Sequence, residues 1–418
     1  MHRVWWRIGW RNLGRNRRRS IIAAAALGFG YFSVVVLMGW MNGLVAEMIG
    51  NGTGVLTGQI QVHADDYKPD KSVHATIGGR DGADIAALSA AVLSDPDVSA
   101  ASPRVYGGGL VSTGSATAAG IFLGVDPDRE ADVSLMLNVI EEGRAPALGT
   151  NEILLGSEMA RTVNVTPGDE VVIVAPAIDG SLGNDLYIVS GIFKTGLVDL
   201  DRTMAIFPID ALQYLMAMDP DRVHEIAATV PDPWRATGAT SRLSEAFAGS
   251  GVGVDVESWI TLRPEMVEYA TLTESFQWVL LVIVFGVAIF GVANVMLMAT
   301  FERRREFAVM LALGTRPSGI LASVVSESLA LAVLGLVGGI VVTFPIMVWW
   351  HLAPPDMSWL FGEFTMQGAL MRPVLRVEYP WTMTWQAAIA LFVTAVLAAL
   401  YPAIRAGRVP PADTLSGR

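Results

Sequence analysis

Four long apolar stretches limit what this chain can fold into. The first contains no charged residue, and each is about as long as the ~20 residues that an α-helix needs to cross a bilayer. They run from Ile21 to Asn42, from Phe276 to Thr300, from Ile320 to Trp349 and from Trp385 to Tyr401. Because 52% of the residues are hydrophobic and only 17% are charged, the sequence predicts an α-helical membrane protein with four transmembrane helices.

These stretches divide the chain into nine predicted segments. A cleaved signal peptide has a shorter apolar core and a small-residue cleavage site, so the first span is predicted to remain as an anchor. The predicted order is a cytoplasmic basic amphipathic helix (1–20), span 1 (21–43), an outer domain (44–275), span 2 (276–300), a cytoplasmic connector (301–318), span 3 (319–349), an outer loop (350–383), span 4 (384–403) and a cytoplasmic tail (404–418).

The basic residues favour one orientation of these spans. Residues 1–20 hold seven arginines and no acidic residue, 301–318 hold four arginines, and 403–418 hold three. By contrast, residues 44–275 hold 33 acidic and 13 basic residues. Short cytoplasmic segments of membrane proteins are rich in Lys and Arg. We therefore expect both termini and the connector in the cytoplasm, and residues 44–275 outside it.

The amino-terminal arginines also follow a helical spacing. Arg3, Arg7, Arg11 and Arg15 recur every four residues, and tryptophans lie between them. This pattern predicts a helix at the cytoplasmic headgroup level that contacts anionic membrane lipid. A plain basic flank that only sets the orientation is the alternative.

The outer segment alternates strand-like and helix-like runs. Predicted strands lie near 59–62, 98–111, 119–125, 170–174, 186–193, 223–230 and 252–256, and predicted helices near 82–93, 157–163, 208–218 and 234–247. A strand–helix–strand unit stands near each end. The pattern predicts an α+β subdomain built from both ends of the segment, with a β-rich insertion between them.

The sequence lacks the motifs of an enzyme that hydrolyses nucleotides. A P-loop needs Gly-Lys followed by Ser or Thr, whereas none of the lysines, at 68, 71 and 194, follows a glycine. The five histidines show no metal-ligand spacing, cysteine is absent, and no G-x-S-x-G occurs. We predict no catalytic residue, cofactor or metal ligand and no nucleic-acid partner for this chain.

The connector is the candidate docking site. It is too short to form a domain of its own, so we expect it to bind another molecule. The candidate docking residues are Glu302, Arg303, Arg305, Glu306, Phe307, Leu313 and Gly314.

The third span contains three further candidates. A carboxylate inside a membrane is costly, so Glu327 is predicted to couple the spans to function. The alternative is a carboxylate satisfied by backbone groups or by an arginine near the cytoplasmic side. Gly335 and Gly339 are four residues apart, which predicts close helix packing or a dimer contact.

Together, these segments carry a family resemblance. The stretch from Asn294 to Gly339 resembles the core signature of the FtsX-like permease superfamily: an asparagine, Glu-Arg-Arg-x-Glu, Ala-Leu-Gly, a later glutamate and paired glycines. Trp10–Leu13 with Arg15–Arg19, and Tyr401–Ala406 with Pro410, agree with it. In the outer segment, four motifs look like those of MacB-type and LolC/LolE-type permeases: Gly143-Arg144-x-Pro146, Glu152–Gly156, Pro167–Asp169 and Gly191–Gly196.

The resemblance implies a type VII ABC transporter permease of the bacterial inner membrane. Its outer domain, between helices 1 and 2, would consist of porter and sabre-like subdomains in the periplasm. A second permease subunit, identical or paralogous, and a separate ATPase subunit that binds ATP would be its partners. The LolC/LolE likeness implies release of lipoproteins to a periplasmic carrier. A mechanotransmission exporter with an adaptor and an outer-membrane duct, and an FtsX-like regulator of a periplasmic hydrolase, remain alternatives.

Overall fold

The computed structural model describes residues 17–67, 72–79, 83–249, 253–361, 364–366, 369–371, 374–378 and 381–416. Most of the predicted basic helix at 1–20 therefore lies outside the described residues. The chain divides into two compact units. One is helical and contains the four apolar stretches. The other is an α+β unit formed by residues 47–269 and a short hairpin from the segment between the third and fourth spans.

The helices are numbered in chain order over the described residues. They are α1 (Arg17–Gly52), α2 (Ile85–Leu93), α3 (Pro127–Glu130), α4 (Ser157–Val163), α5 (Val198–Thr203), α6 (Ile209–Leu215), α7 (Ala236–Ala248), α8 (Trp259–Leu262), α9 (Pro264–Glu302), α10 (Arg304–Ala312), α11 (Pro317–Leu352), α12 (Ser358–Phe361), α13 (Trp381–Gly407) and α14 (Pro411–Ser416). A π-helical turn at Thr53–Thr57 continues α1.

The strands are numbered in the same way. They are β1 (Ile60–Ala64), β2 (Ile77–Gly78), β3 (Ala100–Ser112), β4 (Thr117–Val125), β5 (Ile140–Gly143), β6 (Glu152–Gly156), β7 (Glu170–Pro176), β8 (Leu182–Phe193), β9 (Met204–Pro208), β10 (Arg222–Val223), β11 (Glu225–Thr229), β12 (Val254–Ser258), β13 (Phe364–Met366) and β14 (Ala369–Met371).

Four helices of the helical unit, α1, α9, α11 and α13, are long and apolar enough to cross a membrane. Each extends past the predicted span at both ends; α1, for example, already includes Arg17 and continues to Gly52. The difference has a simple cause. An apolar run ends where the chain would leave the bilayer. A helix continues beyond that point, as long as its backbone N–H and C=O groups keep their hydrogen bonds.

Small side chains allow α13 to lie close to α11. Seven alanines of α13 are buried: Ala387, Ala388, Ala395, Ala398, Ala399, Ala403 and Ala406. The hydroxyl of Ser328 on α11 donates a hydrogen bond of 2.6 Å to the carbonyl oxygen of Ala395. Short side chains bring the backbones near enough for this contact.

A ten-stranded sheet forms the centre of the α+β unit. Its order is β12-β1-β11-β3-β4-β9-β6-β8-β5, and β7 pairs with both β3 and β8. In the first four strands, all neighbours are antiparallel. Helix α2 connects β1 to β3 and α7 connects β11 to β12, so two strand–helix–strand units interleave. This is the α+β subdomain that the sequence predicts from the two ends of the segment.

The insertion between β3 and β11 builds the rest of the sheet. Strand β3 belongs to both parts, because its first residues pair with β11 and its later ones with β4 and β7. The sequence analysis did not predict β5, β6 and β9. Strands β6 and β9 are buried along almost their whole length, so their apolar residues do not alternate with polar ones, and β5 has only four residues.

Candidate functional site

The connector between α9 and α11 is a helix with a defined beginning and end. Arg303 leaves helical geometry, with φ −98° and ψ 12°, and so separates α9 from α10. At the other end, Gly314 has φ +90°. The amide of Gly314 donates to the carbonyl of Leu311 and the amide of Thr315 to that of Met310, both at 3.0 Å. This pair of bonds is the Schellman motif, which needs a left-handed residue and therefore favours glycine.

The inner side of the connector is attached to α11 by an ion-pair cluster. Nη1 of Arg303 lies 2.7 Å from Oε2 of Glu327, and its Nε lies 3.0 Å from Oε2 of Glu306. The guanidinium also stands 5.2 Å from the ring centre of Phe307, a side chain with only 1% of its surface exposed. Arg303 and Glu327 are 15% and 12% exposed. The structure thus gives Glu327 an arginine partner near the connector, and the coupling role of this carboxylate stays a prediction.

A second ion pair links the end of α9 to α1. Nη1 of Arg19 lies 3.0 Å from Oε2 of Glu302, and the same guanidinium donates to the carbonyl of Val295. Glu302 is about half exposed. Of the predicted docking residues, Glu302, Arg303 and Glu306 therefore make ion pairs within the chain.

The outer side of the connector is exposed. Arg305, Val309 and Leu313 follow one another at intervals of four residues and lie on one face of the helix. Leu313 is 81% exposed and Val309 is 45% exposed. We call these three residues the outer stripe. The sequence analysis named Arg305 and Leu313 but missed Val309, although its spacing of four from both was a usable signal.

A cavity of about 370 Å³ lies beside the connector, lined by residues of α9, α10 and α13 and of the turn after α13. Its cationic residues are Arg304, Arg405 and Arg408. The Arg405 guanidinium stands 4.7 Å from the ring centre of Phe301 and donates to the hydroxyl of Tyr401 at 3.4 Å. Positive charge therefore surrounds the carboxyl-terminal end of α9.

The paired glycines of α11 contact α1. A β-carbon at Gly335 would lie 2.9 Å from Cβ of Leu27, and one at Gly339 would lie 2.9 Å from Cδ1 of Tyr31. A β-carbon at Gly28 would in turn lie 2.8 Å from the carbonyl oxygen of Gly335. Only glycine permits this approach of the two helices.

A row of charged side chains crosses one face of the sheet in the α+β unit. Asp255, His63, Glu225 and Arg104 stand in register on β12, β1, β11 and β3. The fully buried Arg104 makes ion pairs with Glu130 at 2.6 Å and with Glu225 at 3.2 Å. Burial raises the pKa of the Glu225 carboxyl, and the Arg104 guanidinium opposes that rise.

This buried network was not predicted. The sequence analysis took the acidic residues of the outer segment for surface groups, since they are numerous there. No sequence signal could have found it, because the contact depends on β3 and β11 being antiparallel neighbours that each carry one charged residue on the same face.

The fold and the connector together define a class of protein. Four membrane-length helices, a folded unit inserted between the first two and a short helix with an exposed stripe between the next two are the parts of a membrane permease that works with a partner. The model of the FtsX-like permease C-terminal region matches residues 278–411, and the MacB-like periplasmic core domain matches residues 20–246. The chain belongs to the FtsX-like ABC transporter permeases and carries a MacB-like periplasmic core domain.

Two curated relatives match almost the whole chain. The lipoprotein-releasing system transmembrane protein LolC of Xylella fastidiosa strain Temecula1 is 23% identical, over 98% of this chain and 97% of its own length. LolE of Haemophilus influenzae, of the same system, is 22% identical over 98% of both chains. A crystal structure of the periplasmic region of MacB from Actinobacillus actinomycetemcomitans is 12% identical, with a TM-score of 0.37 over 53% of this chain and 97% of that one.

Proposed function

We propose that this chain is the permease subunit of an ABC transporter that transmits the ATP-driven movement of a separate ATPase subunit to its periplasmic domain. Lipoproteins of the inner membrane are the proposed substrate, released towards the outer membrane through a periplasmic carrier. The full-length similarity to LolC and LolE supports this substrate class. Both termini and the connector would lie in the cytoplasm, as the distribution of basic residues favours.

The observation that carries the proposal is the two-sided connector. Its inner side is held on α11 by the contacts of Arg303 with Glu327 and Phe307. Its outer side presents Leu313 and Val309, two apolar residues with no role in that attachment. A partner that binds the outer stripe would therefore move α11 together with the connector.

Other surfaces would meet the remaining partners. Large apolar side chains are exposed along α9, among them Val282, Val287 and Phe290. In a bilayer, such residues contact lipid tails or another transmembrane helix. We propose that membrane lipid and a second permease subunit, a copy or a paralogue, cover them.

Docking can be tested by co-purification with the ATPase. Leu313→Asp and Val309→Asp should each abolish capture of the ATPase, because a charge would enter an apolar contact. Leu182→Asp is the matched control, since this leucine is also exposed but lies in the periplasmic domain. Full capture by both connector variants would contradict docking at the outer stripe.

Substrate class needs a separate measurement. The native complex is purified from membranes, and its bound proteins are identified. A lipoprotein and its soluble carrier would support release, whereas a membrane-fusion adaptor would support export. Recovery of the chain without any ATPase would contradict the proposal as a whole.

Orientation can be measured directly because the chain contains no cysteine. With a membrane-impermeant thiol reagent on intact spheroplasts, Leu182→Cys should be labelled and Leu313→Cys should not. The reverse pattern would contradict the proposed topology.

A further inference from the structure

Two neighbouring strands of the periplasmic domain bring three possible metal ligands together. In the β1–β12 pair, His63 stands opposite Asp255, and Glu257 follows two residues later on the same face. One ligand atom from each side chain lies within 4.8 Å of the other two. Among the described residues, this is the one such group of three. His63 is nearly 200 residues from the two acidic residues in sequence, so no local spacing could indicate the group.

The hydrogen bonds of His63 fix the roles of its ring nitrogens. Nδ1 lies 3.0 Å from the carbonyl oxygen of Ala64, which can only accept, so Nδ1 carries the hydrogen. Nε2 lies 3.2 Å from Oε2 of Glu257. In that tautomer, Nε2 holds the lone pair with which an imidazole binds a metal ion, and it faces the carboxylate of Glu257.

The hydrogen bonding of His63 matches that of a histidine that binds a metal ion. A histidine ligand of a metal usually donates its other ring N–H to a carboxylate or a backbone carbonyl, as Nδ1 of His63 does here. His63 is 1% exposed and therefore fixed, whereas Asp255 is exposed, with its Oδ1 accepting a hydrogen bond from the amide of Val256 at 2.9 Å.

We propose that His63, Asp255 and Glu257 bind a divalent transition-metal ion, with Zn²⁺ as the best match. Zinc accepts imidazole nitrogen together with carboxylate oxygen, and three protein ligands leave a fourth position for water. Calcium and magnesium prefer oxygen ligands only. The exposed side of Asp255 gives an ion access from solvent.

Such an ion would connect the two ends of the domain. Strand β1 follows α1 in the chain, and β12 precedes α8 and α9. A bound ion would cross-link the strand that comes from the first span to the strand that leads to the second. Zinc would then stabilise the pairing of β1 with β12.

The test uses the full-length chain, purified in detergent with a histidine-free tag and stripped with a chelator. Co²⁺ serves as a spectroscopic probe, and Zn²⁺ is added in competition. Wild type should bind one equivalent of Co²⁺, displaced by Zn²⁺. Glu257→Gln and Asp255→Asn keep the side-chain shapes. Each should weaken Co²⁺ binding by more than about 100-fold, because loss of an outer-shell partner alone weakens metal binding by about 10- to 100-fold.

The control is His74→Gln, which removes an exposed histidine outside the cluster and should leave binding unchanged. Zn²⁺ should also raise the melting temperature of wild type but not that of Asp255→Asn. Because Asp255 is exposed, this substitution should leave the fold intact. Absence of saturable binding in wild type would overturn the proposal. Equal binding in wild type and both cluster variants would overturn it as well.

Discussion

The ion pair between Arg303 and Glu327 should contribute measurably to the stability of the helical unit. A hydrogen bond between charged groups contributes about 1.5–3 kcal/mol, and removing one partner of a buried pair costs about 3–5 kcal/mol. Glu306 still accepts from Arg303 at 3.0 Å after Glu327 is lost. We therefore expect Glu327→Ala to lower the free energy of unfolding by about 2–3 kcal/mol, less than the loss of a buried partner that leaves its charge unpaired.

A double-mutant cycle separates this pair from general effects of truncation. The free energy of unfolding is measured by SDS titration in mixed micelles for wild type, Arg303→Ala, Glu327→Ala and the double variant. Residues in one ion-pair network couple by about 0.5–3 kcal/mol, and we expect about 2 kcal/mol here. A parallel cycle of Arg305→Ala with Glu327→Ala should give almost none, because Arg305 is on the exposed side. A coupling below about 0.5 kcal/mol for Arg303, or an equal one for Arg305, would refute the reasoning.

The same position tests transmission through the connector. Glu327→Gln keeps the shape and an acceptor oxygen but removes the charge. If the ion pair transmits movement from the ATPase to α11, this variant should still bind the ATPase, while substrate-stimulated ATP turnover falls. Wild-type turnover in a stable variant would leave Glu327 a purely structural role.

Three further predictions concern packing and charge. Gly335→Ala should destabilise the chain by about 1–3 kcal/mol, measured by melting in detergent, whereas Gly338→Ala, where a β-carbon meets nothing within 4 Å, should be neutral. Arg104→Met should lower stability by about 3–5 kcal/mol in the same assay, because it removes the cation that pairs with the buried carboxylates of Glu130 and Glu225. A change below about 1 kcal/mol would contradict this prediction. Hydrogen bonds from Arg242 lower the pKa of Asp95, so this pair stabilises the fold fully above the ordinary carboxyl pKa of about 3.9 and loses its effect as pH falls through the lowered pKa of the folded state. The melting temperatures of wild type and Arg242→Gln should thus differ at pH 7, and the difference should shrink as pH falls below about 3.9.

The sequence predicted the framework of this protein because its signals are local. Apolar runs of membrane length identified four spans, and strand-like runs located most of β3, β4 and β8. Gly314 could be singled out because a glycine after a short helix commonly ends it. The motifs of the connector supported the correct family.

Other features depend on which residues the fold brings together. No local pattern shows that Arg303 points inward to Glu327 while Arg305, two residues later, points outward. The direction depends on the helix break at Arg303. The Arg104 network and the cluster around His63 likewise depend on the order of strands in the sheet, which the sequence did not provide.

The pairing of β1 with β12 has a mechanical consequence for the periplasmic domain. Ile60, where the chain enters β1, is paired with Ser258, where it leaves β12. Both attachment points therefore lie at the same end of one antiparallel pair. Tension that separates them would open the backbone hydrogen bonds one after another, like a zipper, instead of shearing all of them at once. Each bond contributes only about 0.5–1.5 kcal/mol, so a small force, applied at the right end, would be enough to begin separating the two strands.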